Sequence, residues 1–101
     1  MTRERLSDRR QHEAIDFQHG GFRYVAGIGR FPDGRLAELF FNTAKTGTAL
    51  ETVARDAAIV ASIALQHGAP ADTIRHALTR NSDGSASGPL GALLDMLTQN
   101  P

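Results

Sequence analysis

Lys45, Thr46, Gly47 and Thr48 bring an ammonium, two hydroxyls and a glycine together directly before a long helical pattern. Backbone N–H groups at a helix N-terminus carry partial positive charge, and a neighbouring ammonium adds to it. The stretch therefore has the chemistry of an anion, phosphate or nucleotide site. Arg55, in the second turn of that helix, would support it, with Arg30 or Arg35 as further cations. The order is not that of a nucleotide-hydrolase phosphate loop, because the lysine precedes the glycine and the second glycine is missing. The same residues also read as an ordinary capped loop, since Thr48 and Glu51 match the reciprocal capping box. Lys45 stands out because it is the single lysine among 11 basic residues.

Other arrangements that resemble known chemistry fail on context. Gly27-Ile28-Gly29 has two glycines of a dinucleotide fingerprint, but Pro32 takes the third glycine position and no helix follows the strand. His12, His19, His67 and His76 have no metal-ligand spacing to one another or to a carboxylate. Ser62, His67 and Asp72 contain the three residue types of a hydrolase triad, without a nucleophile elbow or oxyanion loop. Glu51, Arg55 and Asp56 read as a solvated ladder of charges on one helix face. The 101 residues include no cysteine, so the chain holds no disulfide, thiolate ligand or thiol nucleophile. No cofactor or metal is expected.

The elements that must position these residues follow from periodicity and punctuation. Residues 13–19 alternate, Gly20-Gly21 suits a primed two-residue turn, and residues 22–31 place Phe22, Tyr24, Ala26 and Ile28 on one face. Pro32-Asp33-Gly34 marks a second turn, and residues 35–42 complete a three-stranded antiparallel meander. One face of that sheet is expected to meet helices and the other a second copy. The central helix is expected over about residues 49–67, closed by Gly68 and Pro70. Residues 57–65 are apolar except for Ser62, so this helix should be covered on all sides, yet the run is too short to span a membrane. A second helix over residues 70–80, a polar loop over 81–87 and a third helix opening at Gly88-Pro89 complete an α+β domain with its sheet first.

Length and composition set the limits. A chain of 101 residues makes one modest core, here expected over residues 12–98, between an arginine-rich flexible arm at 1–11 and a tail at 99–101. Charge is balanced at 11 basic and 11 acidic residues, so there is no global attraction to nucleic acid or membrane. The arm has no interleaved aromatic residue for stacking on bases, which makes nucleic acid the least expected partner. No apolar signal-peptide core is present, and the expected location is cytoplasmic. An all-apolar helix beside one thin sheet points to a homo-oligomer, with a dimer as the simplest case.

HGGFRYVAGIGRFPDGRLAELFFN followed by KTGTALETVARDAAIVASIALQHGAPADTIRHAL resembles the TSCPD domain. That domain is a small C-terminal module of many adenosylcobalamin-dependent ribonucleotide reductases and also occurs as a short free-standing protein. The resemblance runs over residues 9–97. It departs at the namesake motif: Ser85-Ala86-Ser87-Gly88-Pro89-Leu90 stands where the family has Thr-Ser-Cys-Pro-Asp, which puts Gly88 in the cysteine's place. Ribonucleotide reduction needs a cysteine radical and a reducing cysteine pair, and this chain has neither. The resemblance therefore implies a non-catalytic accessory, regulatory or assembly role beside a ribonucleotide reductase subunit, or a domain that has left that enzyme altogether. A nucleotide-binding module built on residues 45–48 is the alternative.

Overall fold

The computed structural model describes residues 12–43 and 49–99, an α+β arrangement with three antiparallel strands followed by three helices. β1 (His12–His19), β2 (Phe22–Arg30) and β3 (Leu36–Thr43) lie in sequence order as a meander. Gly20 and Gly21 both have positive φ, at 59° and 84°, as the primed turn between β1 and β2 requires. Residues 32–34 close the second hairpin: the Gly34 N–H donates to the Phe31 carbonyl at 2.9 Å, and Gly34 sits at φ 94°. Tyr24, Ala26 and Ile28 point into the core from β2 and are joined there by Phe17, Leu39 and Phe41. The Phe17 and Tyr24 rings stack at 5.4 Å, and Phe41 lies tilted against Tyr24 at 5.5 Å.

α1 (Ala49–Gln66) runs antiparallel to β3 and packs along it. Its inward face is Ala54, Ala58, Ala61, Ser62, Leu65 and Gln66, of which the three alanines and the serine are small and let the helix approach the strand closely. Two of them are polar and buried, and both bond to the backbone of β3. Ser62 Oγ accepts the Leu39 N–H at 2.8 Å, and its own proton lies between the Leu39 carbonyl at 2.8 Å and the Ala58 carbonyl at 2.9 Å. Gln66 Nε2 donates to the Ala37 carbonyl at 3.0 Å. Ala37 lies where β3 slips register against β2. These bonds take the backbone groups that an edge strand would otherwise leave free. At its far end α1 closes with a Schellman motif, Gly68 N–H to the Leu65 carbonyl at 3.1 Å and Ala69 N–H to the Ala64 carbonyl at 3.0 Å, with Gly68 at φ 102°.

α2 (Ala71–Ala77) is shorter than the periodicity predicts, because Leu78 is already extended at φ −77°, ψ 155°. Beyond it the chain folds back on itself. Arg80 pairs with Ala86, the Asn81 N–H donates to the Ser85 carbonyl at 2.8 Å, and the Ser87 N–H donates to the Thr79 carbonyl at 3.0 Å. α3 (Pro89–Gln99) then sends Leu90, Leu93 and Leu94 into the core. The face of the sheet away from the helices fills itself. Phe40 lies over Gly27, where a Cβ would run into its ring, and Glu38 lies over Gly29.

Within one chain α1 is not covered on all sides, which is where its apolar run leads to the expectation of a second copy. One three-stranded sheet and two short helices cover α1 only on one side and one flank, leaving Val53, Ile59, Val60 and Ile63 exposed at 61, 54, 67 and 42%. Replacing Ser62 tests the bonds that set this orientation. Ser62→Ala strands a buried N–H and a buried carbonyl, which costs about 1–3 kcal/mol, and each kcal/mol lowers Tm by about 4–8 °C in a domain of this size. Thermal denaturation followed by circular dichroism measures the drop.

Candidate functional site

Among the described residues, Arg30 and Arg35 do not lie beside Arg55. Lys45, Thr46, Gly47 and Thr48 fall outside the described residues, and Arg55 is exposed on the second turn of α1. Arg30 and Arg35 flank the hairpin turn at the start of β3. Because α1 runs back along β3, that turn lies beside the C-terminal end of α1, where Arg35 shares a recess with Leu65, Gly68 and Pro70. A helix of 18 residues is about 27 Å long, so neither arginine reaches its N-terminus. Both are engaged locally. Arg30 donates to Glu13 at 3.2 Å and to the Gly34 carbonyl at 3.0 Å; Arg35 donates to Asp33 at 2.6 Å and lies 4.6 Å over the Phe31 ring.

The remaining candidate side chains serve structure. Ser62 is bonded under β3, away from His67 and Asp72. His12 bonds Glu38 at 2.8 Å on the outer sheet face, with its ring edge-on to Phe40. His19 bonds the Ser87 carbonyl at 3.2 Å, and His76 bonds the Asp72 carbonyl at 2.9 Å. Among the described residues, no three His, Asp or Glu side chains form a metal-binding group.

An ion cluster between α2 and α3 is the feature that local sequence reasoning misses. Asp95, the single acid on α3, accepts two bonds from Arg80, at 2.6 and 2.7 Å, and a longer one from Arg75 at 3.4 Å. Arg80 also donates to the Arg75 and Gly84 carbonyls. The bonds from Arg80 hold the Asp95 carboxyl below its usual range, against the opposing effect of partial burial. The same pairing raises Arg80. The available signal is a lone carboxylate in an otherwise apolar helix, which demands a partner.

This cluster fixes the far wall of an apolar groove among the described residues. Val53, Ala57, Val60 and Ala64 of α1 line one side, and Ile74, Leu78 and Leu90 line the other, around an open volume of about 510 Å³. It continues past Leu50 to Gly88 and Pro89 at the start of α3. Gly88, which stands where the resembling family carries cysteine, has no steric need to be glycine, since a Cβ there would meet open space. A groove of this kind binds by burying apolar surface, and the polar groups in its lining are Asp56 of α1 and Thr79. No helix among the described residues is long and apolar enough to cross a membrane.

The family described as TSCPD domain matches residues 5–99. Among curated proteins, the vitamin B12-dependent ribonucleotide reductase of Bradyrhizobium diazoefficiens is 36% identical over 77 residues, which are 76% of this chain and 6% of that protein. That of Agrobacterium fabrum is 35% identical over 77 residues, with the same two shares. The Rhodopirellula baltica enzyme is 36% identical over 72 residues, 71% of this chain and 7% of its own length. The chain thus spans less than a tenth of the length of these relatives. No solved structure shows a significant match.

The Asp95 cluster predicts a pH signature. A carboxyl whose pKa is lowered on folding adds stability above its unfolded pKa, about 3.9, and that stability disappears as pH falls through the folded value. Asp95→Asn should therefore be less stable than the wild type at pH 7, and the gap should close progressively once pH drops below about 4. Urea midpoints of both chains across that range measure it.

Proposed function

Starting from the fact that the chain belongs to the TSCPD domain family, we propose that it is a non-catalytic interaction module serving a vitamin B12-dependent ribonucleotide reductase. The observation that carries this reading is the outward face of α1. Val53 and Val60 stand 61 and 67% exposed there, on the side of the helix opposite its buried Ser62 and Gln66. Covering them is worth about 2–4 kcal/mol at 1.5–3 kcal/mol per buried side chain. Association through this face is the chemistry the surface offers.

The relatives are the reason for proposing a reductase as partner, and the chain itself carries no cysteine for thiol chemistry. In the relatives, the matched segment is a small part of a much longer reductase. A module of this size acts by binding, by regulating or by holding an assembly together, and a cytoplasmic setting fits that role. Phosphate binding at residues 45–48 gains no support from Arg30 or Arg35, which lie at the other end of α1.

Biolayer interferometry with a purified vitamin B12-dependent ribonucleotide reductase tests the proposal. Saturable binding should weaken at least about tenfold in Val60→Asp, since a carboxylate at a desolvated contact costs more than the 1.4 kcal/mol that corresponds to a factor of ten. Val60 is exposed in the free chain, so the variant should keep the wild-type Tm. Absence of binding by the wild-type chain, or equal binding by both, would overturn the reading.

A further inference from the structure

We infer that the open edge of β1 is where a second copy of this chain pairs, β1 running antiparallel to β1 of the second copy about a two-fold axis at Ile15. The inference is independent of the reductase proposal and rests on backbone groups at the far side of the sheet from the groove. The two edges of the sheet are built differently. At β3 the outward backbone groups of Leu39 and Ala37 are taken by Ser62 and Gln66. At β1 the two-residue turn makes His19 and Phe22 a bonded pair, so Phe17 and Ile15 also bond β2, and the N–H and carbonyl groups of Ala14, Asp16 and Gln18 point away from the sheet. Among the described residues, no bond from another element reaches them. A row of alternating donors and acceptors of this length is satisfied by water or by another strand.

β1 lacks the features that keep edge strands apart. It pairs with β2 over eight residues without a register shift and carries no proline or lysine. Its two acids are drawn toward β2, where Arg23 Nε donates to Asp16 at 2.8 Å and Arg30 donates to Glu13 at 3.2 Å. Ala14, at mid-strand, is exposed. The side chains also make β1 its own complement. With the axis at Ile15, Ala14 pairs with Asp16 of the second copy, Gln18 falls opposite His12, and Ile15 meets its counterpart. Ile15 is half-buried against the core, so the counterpart extends that core across the junction. Placing the axis at Asp16 would set like charges directly opposite each other, and placing it at Ala14 would carry Gln18 past the end of the second copy's β1. A one-residue slip is excluded, because it would match outward backbone groups with inward ones. Two three-stranded sheets thus become one continuous antiparallel sheet. Since α1 packs at β3, the opposite edge, both α1 faces stay open in the dimer.

Sedimentation velocity from about 1 µM to about 1 mM, the span over which small interfaces assemble, tests the inference. The wild type should pass from monomer to dimer. Ala14→Pro removes an N–H that the chain's own sheet does not use, so it should keep the wild-type circular dichroism and stay monomeric. Charge at the same exposed position tests the register. Ala14→Lys faces Asp16 of the second copy and should tighten the dimer several-fold, whereas Ala14→Glu should loosen it several-fold. Hydrogen exchange of the Ala14, Asp16 and Gln18 amides should be fast in the monomer and slowed in the dimer. Val60→Asp should dimerise as the wild type does. A wild type that stays monomeric throughout, a dimer that Ala14→Pro leaves intact, equal effects of lysine and glutamate, amides already protected in the monomer, or a Val60→Asp chain that cannot dimerise would each overturn the inference. Reductase binding is read through Val60→Asp and dimerisation through position 14, so the two readings fail separately.

Discussion

Everything in this fold depends on how the free edge of β3 is satisfied. A three-stranded sheet has two edges, and each exposed row of N–H and carbonyl groups must find a partner or remain in water. Here the edge is closed by side chains from a helix, with Ser62 on Leu39 and Gln66 on Ala37. These bonds are buried, so leaving them unmade would be expensive, and they fix both the height and the rotation of α1. With Ser62 and Gln66 turned inward, Ala54, Ala58, Ala61 and Leu65 face the core. Val53 and Val60 then face the open groove, and Ile59 and Ile63 stand exposed elsewhere on the helix. The apolar surface through which the chain is proposed to act is thus a geometric consequence of closing the sheet.

The groove beside that surface depends on a second polar device. α2 has only seven residues and buries none of them completely. What holds it against α3 is Asp95, which gathers Arg80 and Arg75 from the turn that follows α2 and from α2 itself. The turn over residues 79–87 is tied internally by the Arg80 and Ala86 bridge and by Asn81, Asp83, Ser85 and Ser87. A rigid wall of this kind lets a shallow groove keep its shape without a large core behind it, and a preformed groove loses less on binding.

The parts that could be read from sequence are those determined by local backbone chemistry. Gly20-Gly21, Pro32-Asp33-Gly34 and Gly68 each mark a turn or cap whose φ the structure reproduces, and the order of three strands and three helices follows from them. The role of Ser62 could not be read, because its partner lies 23 residues away in the chain. It registered only as the one polar residue in an apolar run. The length of α2 was misjudged because the backbone turns extended at Leu78, and Arg80 beyond it bonds to Asp95 on α3. The exposure of part of α1 was legible, because an all-apolar helix beside one thin sheet has too few layers to cover it. The candidate anion site was the least legible part. A cation near a helix start in sequence is near it in space only if the intervening strands return to that end, and the β2–β3 turn carries Arg30 and Arg35 away from it.

Hydrogen exchange at the Leu39 amide tests the central claim most directly. With Ser62 Oγ accepting it inside the core, this edge-strand amide should exchange only through global unfolding, as slowly as the slowest amides of the central strand β2. Exchange at the rate of a solvent-exposed amide would show that the edge is open, and the placement of α1 and its outward face would fail with it.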